Sequence, residues 1–401
     1  MTGGGRLYLL SAGATLSLVG TQISHLAIAA RLFELDPSGR LSASLVTLNL
    51  LGVAVFGLLA GWALQKITAF NAGVAAPLAA AALSLYLFAD GQPSALECLS
   101  VAFVQAFIAG LAHPNLMRFL HARLSPAQRT RFFSFAQSAQ QIGVLLAQLA
   151  GVLLIQQLGY RWCFLIDAAS YLLAAAAWMT VRRGGAEDAP GPDQAPAFFE
   201  GYRLILTHPE IRGLTLFRCF NHLAYTTFNV ALPLWVAAAV AGSGRLPTDL
   251  LGTALMAGTA SMIVASVLGG IALKHRPHWV GRFPWISSLL GAAAVIVAAV
   301  AGDARGLLAA SVLFGVGLYF FRLCGIVIGA AVTPGRSMAP VIVAGDTVTR
   351  AGSFLIGLGV PALAFLAFPV PPLIPVALLA LLAPALMRKA ADAARAAHAR
   401  A

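Results

Sequence analysis

Residues 213–241 read GLTLFRCFNHLAYTTFNVALPLWVAAAVA, and this stretch decides the fold class. An α-helix needs about 20 mainly apolar residues to cross the roughly 30 Å hydrocarbon core of a bilayer, and the stretch exceeds that length. It holds no acid and a single base, Arg218. A charge at the centre of such a helix costs about 2.5–3.5 kcal/mol on insertion scales, so it belongs where a wet cavity or a partner compensates it. Arg218, His222, Tyr225 and Asn229 fall at i, i+4, i+7 and i+11, which sets them along one helical face. The stretch therefore reads as a membrane helix with one polar stripe able to line a cavity.

The whole chain shares this character. Of its 401 residues 59% are hydrophobic and 10% charged, whereas soluble domains run at about 45–50% apolar and about 25% charged. A soluble protein is excluded. The net charge of +12 comes from basic residues clustered between apolar segments and not from a continuous stripe, so membrane lipid is expected as a partner and nucleic acid is not. Cys98, Cys163, Cys219 and Cys324 have neither zinc nor disulfide spacing and read as small core residues. There is no phosphate-binding glycine loop with a lysine, no metal-ligand spacing and no nucleophile motif, so neither an enzyme nor a bound cofactor is expected.

Twelve apolar spans are predicted, at 7–33, 42–65, 69–89, 95–120, 132–156, 162–181, 213–241, 250–273, 284–301, 306–332, 340–367 and 372–387. The first is too long for a signal-peptide core and is expected to stay as a helix. An even count puts both termini on one side. Seventeen basic residues then fall on the side of the termini, five on the other and four inside spans, which accounts for all 26. By the positive-inside rule both termini are expected in the cytoplasm.

The longest polar stretch, Arg182 to Arg212, divides the spans six and six and contains Pro190, Pro192, Pro196 and Pro209. It predicts three parts: an N-terminal six-helix bundle over 1–181, a cytoplasmic linker over 182–212 and a C-terminal six-helix bundle over 213–401. Within the linker, Phe198 to Leu206 mixes aromatic, aliphatic and charged residues in a way that suits a short helix at the membrane surface. A faint repeat supports the two halves. Gly61-Trp62-Ala63-Leu64-Gln65-Lys66 closes the second span and Gly270-Ile271-Ala272-Leu273-Lys274-His275 closes the eighth.

Four arginines, Arg118, Arg218, Arg322 and Arg350, lie inside spans. Arg118 is near a cytoplasmic end, where its side chain can snorkel to the interface. Asp346, Thr349, Arg350 and Ser353 share one face of the eleventh span, and Asp346 can pair with Arg350 there. Arg218 and Arg322 have no acid on their own helices. The C-terminal half thus sets three arginines against one embedded acid, which points to an anionic ligand. Its substrate-binding candidates are Arg218, Arg322, Arg350, His222, Tyr225 and Asn229.

The N-terminal half offers uncharged polarity. Gln22, Gln137 and Gln141 are substrate-binding candidates, with Gln148 as a further amide on the fifth span. Asp346 reads as the most deeply placed acid and is the first candidate for proton coupling. His25, which titrates near neutral pH when unperturbed, is the second. Asp167 and Glu97 lie nearer span ends and read as structural.

Several segments carry a family resemblance. Ser17-Leu18-Val19-Gly20-Thr21-Gln22-Ile23-Ser24 resembles the first helix of the enterobactin-exporter-like and macrolide-efflux-like branch of the major facilitator superfamily. Gly151-Val152-Leu153-Leu154 with Gly159-Tyr160-Arg161-Trp162-Cys163-Phe164-Leu165-Ile166-Asp167 resembles that branch's fifth-to-sixth helix corner, and Glu200-Gly201-Tyr202-Arg203 with His208-Pro209 its central loop. Two signatures depart from the pattern: Gln65 stands at the usual acidic position between helices two and three, and Leu146-Ala147 replace the Gly-Pro pair of the antiporter helix.

The resemblance implies an all-α membrane protein with twelve transmembrane helices in two six-helix bundles. It implies a secondary transporter that exports a small molecule from the cytoplasm across a bacterial inner membrane by alternating access, with protons as the coupling ion. Together with the arginine excess this suggests an anionic or carboxylate-rich substrate, such as a siderophore-like metabolite or a drug. An organic-anion importer on the same fold, or a membrane protein without transport function, are the alternatives. A monomer is the expected state.

Overall fold

The computed structural model describes residues 3–123, 126–180, 200–241, 246–275, 277–332, 338–365, 381–388 and 392. Among these the regular structure is helical throughout. The first six helices are α1 (Gly3–Leu35), α2 (Arg40–Lys66), α3 (Ala69–Asp90), α4 (Ala95–Arg123), α5 (Pro126–Leu158) and α6 (Tyr160–Met179). A short α7 (Glu200–Thr207) follows, then α8 (Pro209–Val240), α9 (Pro247–His275), α10 (Phe283–Ala301), α11 (Ala304–Val332) and α12 (Met338–Phe365). Nine of the described helices are long and apolar enough to cross a bilayer. The expected last span, 372–387, lies mostly outside the described residues, and 381–386 are helical. Residues 181–199 of the linker also lie outside them.

Local chemistry sets many of the helix ends. Thr68 caps α3 by accepting the Asn71 N–H at 3.2 Å, and Gly91, at φ 78°, closes the same helix in the left-handed region that favours glycine. Ser94 and Glu97 form a reciprocal capping box at the start of α4: the Ser94 N–H donates to Glu97 Oε2 at 2.8 Å, and the Glu97 N–H to Ser94 Oγ at 3.3 Å. Glu97 is structural, as its place at a span end suggested. Pro209 opens α8, where its missing N–H leaves no bond unmade.

The chain divides into two compact units, Met1–Pro37 with Leu51–Ala195, and Ser38–Leu50 with Pro196–Ala401. In the first, α6 lies against α1, α3 and α5. Small residues allow the approach: the Trp178 indole lies over Gly73, and Gly13 faces Ala174 and Ala177. On α5, Gly143 and Gly151 face α1, while Ile142, Leu146, Leu149 and Leu153 form an exposed apolar row of the kind that hydrocarbon covers.

In the second unit α8 lies against α10, α11 and α12. The start of α2 belongs here, with Thr47 Oγ1 donating to the Gly357 carbonyl at 2.8 Å. α7 packs on α8 and α12, where Ile205 joins Ile211, Val341 and Ala344 in a small apolar cluster.

Candidate functional site

α8 and α12 bring the polar residues of two distant stretches together. Arg218 on α8 forms an ion pair with Asp346 on α12. Gly345 leaves room for it, because a Cβ there would lie 3.3 Å from Arg218 Nη1. One turn along α8, His222 Nδ1 is 2.7 Å from Ser353 Oγ and 3.0 Å from Thr226 Oγ1. Cys219 Sγ contacts Thr349 Oγ1 at 3.6 Å. The two helices are thus stitched along the predicted stripe by one charged pair and several neutral bonds.

This pairing corrects two expectations. Asp346 takes its ion pair from Arg218 on another helix and not from Arg350 one turn away on its own. Arg218 accordingly has an acid partner, which its own helix could not reveal. Arg322 on α11 and Arg350 on α12 form no hydrogen bond or ion pair among the described residues. Arg322 is exposed and Arg350 partly so, although both belong to long apolar helices. The charges of Arg218, Arg322, Arg350 and Asp346 all act on the His222 ring, so the four lie in one electrostatic neighbourhood. Of the three guanidinium groups, only that of Arg218 is paired with the carboxylate.

Tyr225 departs from the stripe. It is 2% exposed and turned into the packing of α10 and α11, with its hydroxyl 3.0 Å from both the carbonyl and the Oγ of Ser287. Its ring packs against Phe314 and Phe321, so it offers no surface to a substrate and acts as a core residue. At i+7 it lies within about 20° of Arg218 round the helix, so the approach of α10 and α11 at its level, and not its angular position, encloses the side chain. Asn229 is partly exposed and its side chain forms no hydrogen bond among the described residues.

Candidates in the first unit are spread over α1 and α5. Gln22 and Gln141 are partly buried. His25 keeps a buried Nε2 with no hydrogen-bond partner among the described residues. The side chains of Gln137 and Arg118 lie outside the described residues, as do those of the two repeat segments apart from Ile271. Gln148 is buried with an unpartnered Oε1.

The deepest described acid is Asp167, not Asp346. Asp167 is 0% exposed on α6, whereas the Asp346 side chain is 40% exposed. Its Oδ2 accepts from Ser84 Oγ on α3 at 2.8 Å, and Ser84 in turn accepts from Gln105 Nε2 on α4 at 2.8 Å. Position along the span misled here, because depth depends on how many neighbours surround a residue. A signal was present in the polar residues Ser24, Ser84 and Gln105 near the middles of three separate apolar spans, but no spacing rule joins them.

Chemically, the second unit offers two unengaged forked cations beside a third whose carboxylate partner is itself accessible. Such a set suits a planar anion.

No curated protein matches the chain by sequence. Solved structures match it closely in fold: a POT family transporter in complex with a thioalcohol-conjugated peptide, at TM-score 0.74 and 13% identity over 96% of this chain and 94% of that one; a peptide transporter POT in complex with alafosfalin, at 0.72 and 14% over 95% of each; and the nucleoside transporter NupG, at 0.69 and 13% over 98% and 99%. At such identities the likeness concerns the fold alone. The family model for the Major Facilitator Superfamily matches residues 10–357, spanning the helices of both units, and on that ground this multi-pass membrane chain belongs to the major facilitator superfamily of small-molecule transporters.

Proposed function

We propose that the protein is a secondary transporter that exports a small anionic or carboxylate-rich molecule from the cytoplasm by alternating access, driven by protons. The observation that carries this reading is the arginine group of the second unit. Among the described residues Arg322 and Arg350 are accessible and unpaired in long apolar helices, and the one embedded acid near this group, Asp346, is paired with Arg218. Unpaired charges at membrane depth mark substrate and ion pathways. A carboxylate ligand supplies the missing negative charge and can engage a guanidinium through two parallel bonds.

Asp346 fits the coupling role within this reading. A substrate carboxylate and the Asp346 carboxylate compete for Arg218, and protonation of Asp346 releases the guanidinium to the substrate. His222, held by Ser353 and Thr226, borders the same group. Asn229 of the second unit and Gln22, Gln137 and Gln141 of the first are further substrate-contact candidates, each within its own unit, and His25 is a second coupling candidate.

Export, an inner-membrane location with cytoplasmic termini and a monomeric state follow from the resemblance to the enterobactin-exporter-like and macrolide-efflux-like branch and from the basic asymmetry of the loops. The same reading takes 1–181 and 213–401 as the two bundles and 182–212 as their cytoplasmic linker.

The test is retention of anionic metabolites in cells carrying Arg322→Ala or Arg350→Ala, with membrane abundance checked alongside. A charge-assisted bond is worth about 1.5–3 kcal/mol, so each variant loses roughly tenfold to hundredfold in apparent affinity, and lysine restores only part because it lacks the fork. Normal export by well-expressed alanine variants rejects the anionic site.

A further inference from the structure

The first unit holds a second ionisable centre. Asp167 lies near the middle of α6 and is shielded completely from solvent. Its Oδ2 receives the Ser84 hydroxyl at 2.8 Å, with the Gln105 amide at 3.5 Å behind it. Its Oδ1 is buried and forms no close hydrogen bond among the described residues. That oxygen faces α1, since a Cβ at Gly20 would come within 2.9 Å of it. Ser24, one turn further along α1, stands beside the same carboxyl, and its hydroxyl is buried with no other hydrogen-bond partner among the described residues.

Among the described residues the surroundings contain no counter-ion. Ser24 comes from α1, Ser84 from α3 and Gln105 from α4, and all are neutral. On α6 itself the neighbours are Ser170 and Tyr171, the latter tied by its hydroxyl to Thr21 at 2.8 Å. Among the described residues, no charged side chain of α1, α3, α4 or α5 forms a hydrogen bond or ion pair with Asp167. Buried carboxylates are paired, bound to a cation or neutral.

We propose that Asp167 is a proton-carrying carboxyl of the first unit, with its proton on Oδ1 directed at Ser24 Oγ. A proton placed there lets the two buried oxygens bond each other and removes a charge that has no counter-ion among the described residues. Release to water needs a state in which the carboxyl is hydrated, and it leaves a carboxylate that the Ser84 O–H and the Gln105 N–H can still serve. A metal cation is the poorer occupant, because hard cations gather a cage of oxygens and Gln105 turns an N–H toward the carboxyl. No cluster of three or more metal-binding side chains occurs among the described residues. The coupling role of this proton rests on the proposed proton-driven transport, but the protonation itself does not.

Infrared spectroscopy on the full chain in lipid nanodiscs reads the site without any substrate. At neutral pH the wild type should show a carboxylic-acid C=O band that shifts in deuterium oxide, and Asp167→Asn should remove it. Ser24→Ala should move the band to higher frequency through loss of the hydrogen bond, and this variant serves as the readout where Asp167→Asn does not fold. A band that survives Asp167→Asn overturns the proposal, as does one unmoved by Ser24→Ala or by prolonged exposure to deuterium oxide. A carboxylate band that responds when choline chloride is exchanged for sodium chloride assigns the site to a metal cation instead. Failure here leaves the anionic site of the second unit untouched, and normal export by Arg322→Ala does not bear on Asp167.

Discussion

Arg218 and Asp346 form an ion pair between α8 and α12 although 128 residues separate them. The pair is neither fully buried nor fully exposed: the side chains are 22% and 40% accessible. A pair in this range holds two helices together and still exchanges partners, which a fully desolvated pair resists. Under the proposed function, that accessibility lets a substrate anion compete for the guanidinium.

Removing one partner should expose that competition. Asp346→Asn is expected to reduce gradient-driven transport while leaving substrate binding partly intact, because the asparagine no longer takes up a proton. Arg218→Ala with Asp346→Ala should cost less than the two single changes together, with a coupling of about 0.5–3 kcal/mol. Counterflow and gradient-driven uptake into proteoliposomes separate the two effects. Full gradient-driven activity in Asp346→Asn would assign the carboxylate to structure alone.

Tyr225 should behave as a core residue. Tyr225→Phe keeps the ring against Phe314 and Phe321 and deletes only the bonds to Ser287. The expected loss is about 0.5–1.5 kcal/mol of stability, read as a lower unfolding temperature in detergent, with substrate affinity unchanged. A selective loss of affinity at unchanged stability would return Tyr225 to the site.

Close helix packing makes Gly315 intolerant of substitution. A Cβ on Gly315 would run into the Gly258 carbonyl and the Ser261 hydroxyl, so α9 and α11 would have to separate. Gly315→Ala is expected to destabilise by about 1–3 kcal/mol. Wild-type thermal stability in that variant would contradict the α9–α11 contact.

The loop charges predict topology. Reporter fusions at Gly191 and Gly242 should report opposite sides of the membrane, with Gly191 in the cytoplasm. Equal signals from both would remove the basis for cytoplasmic termini.

The sequence by itself determined the membrane class and the helical fold, because a span such as 213–241 can satisfy its backbone in hydrocarbon only as a helix. Helix ends were legible too: Thr68, the Ser94–Glu97 box and Pro209 act within a turn of their own positions. The excess of arginine was equally plain, and one helical face correctly joined Arg218 to His222. Only the tertiary structure decided the partners. Asp346 meets Arg218 and not Arg350, Tyr225 leaves the stripe for the seam with α10 and α11, and Asp167 lies deeper than any other described acid. Periodicity along one helix fixes which face a residue occupies, but it contains no information about which helix that face will meet. The charge pairing and burial of these residues depend on neighbours 60 to 130 or so positions away, as the separations of 62, 83 and 128 residues in their recorded bonds make plain.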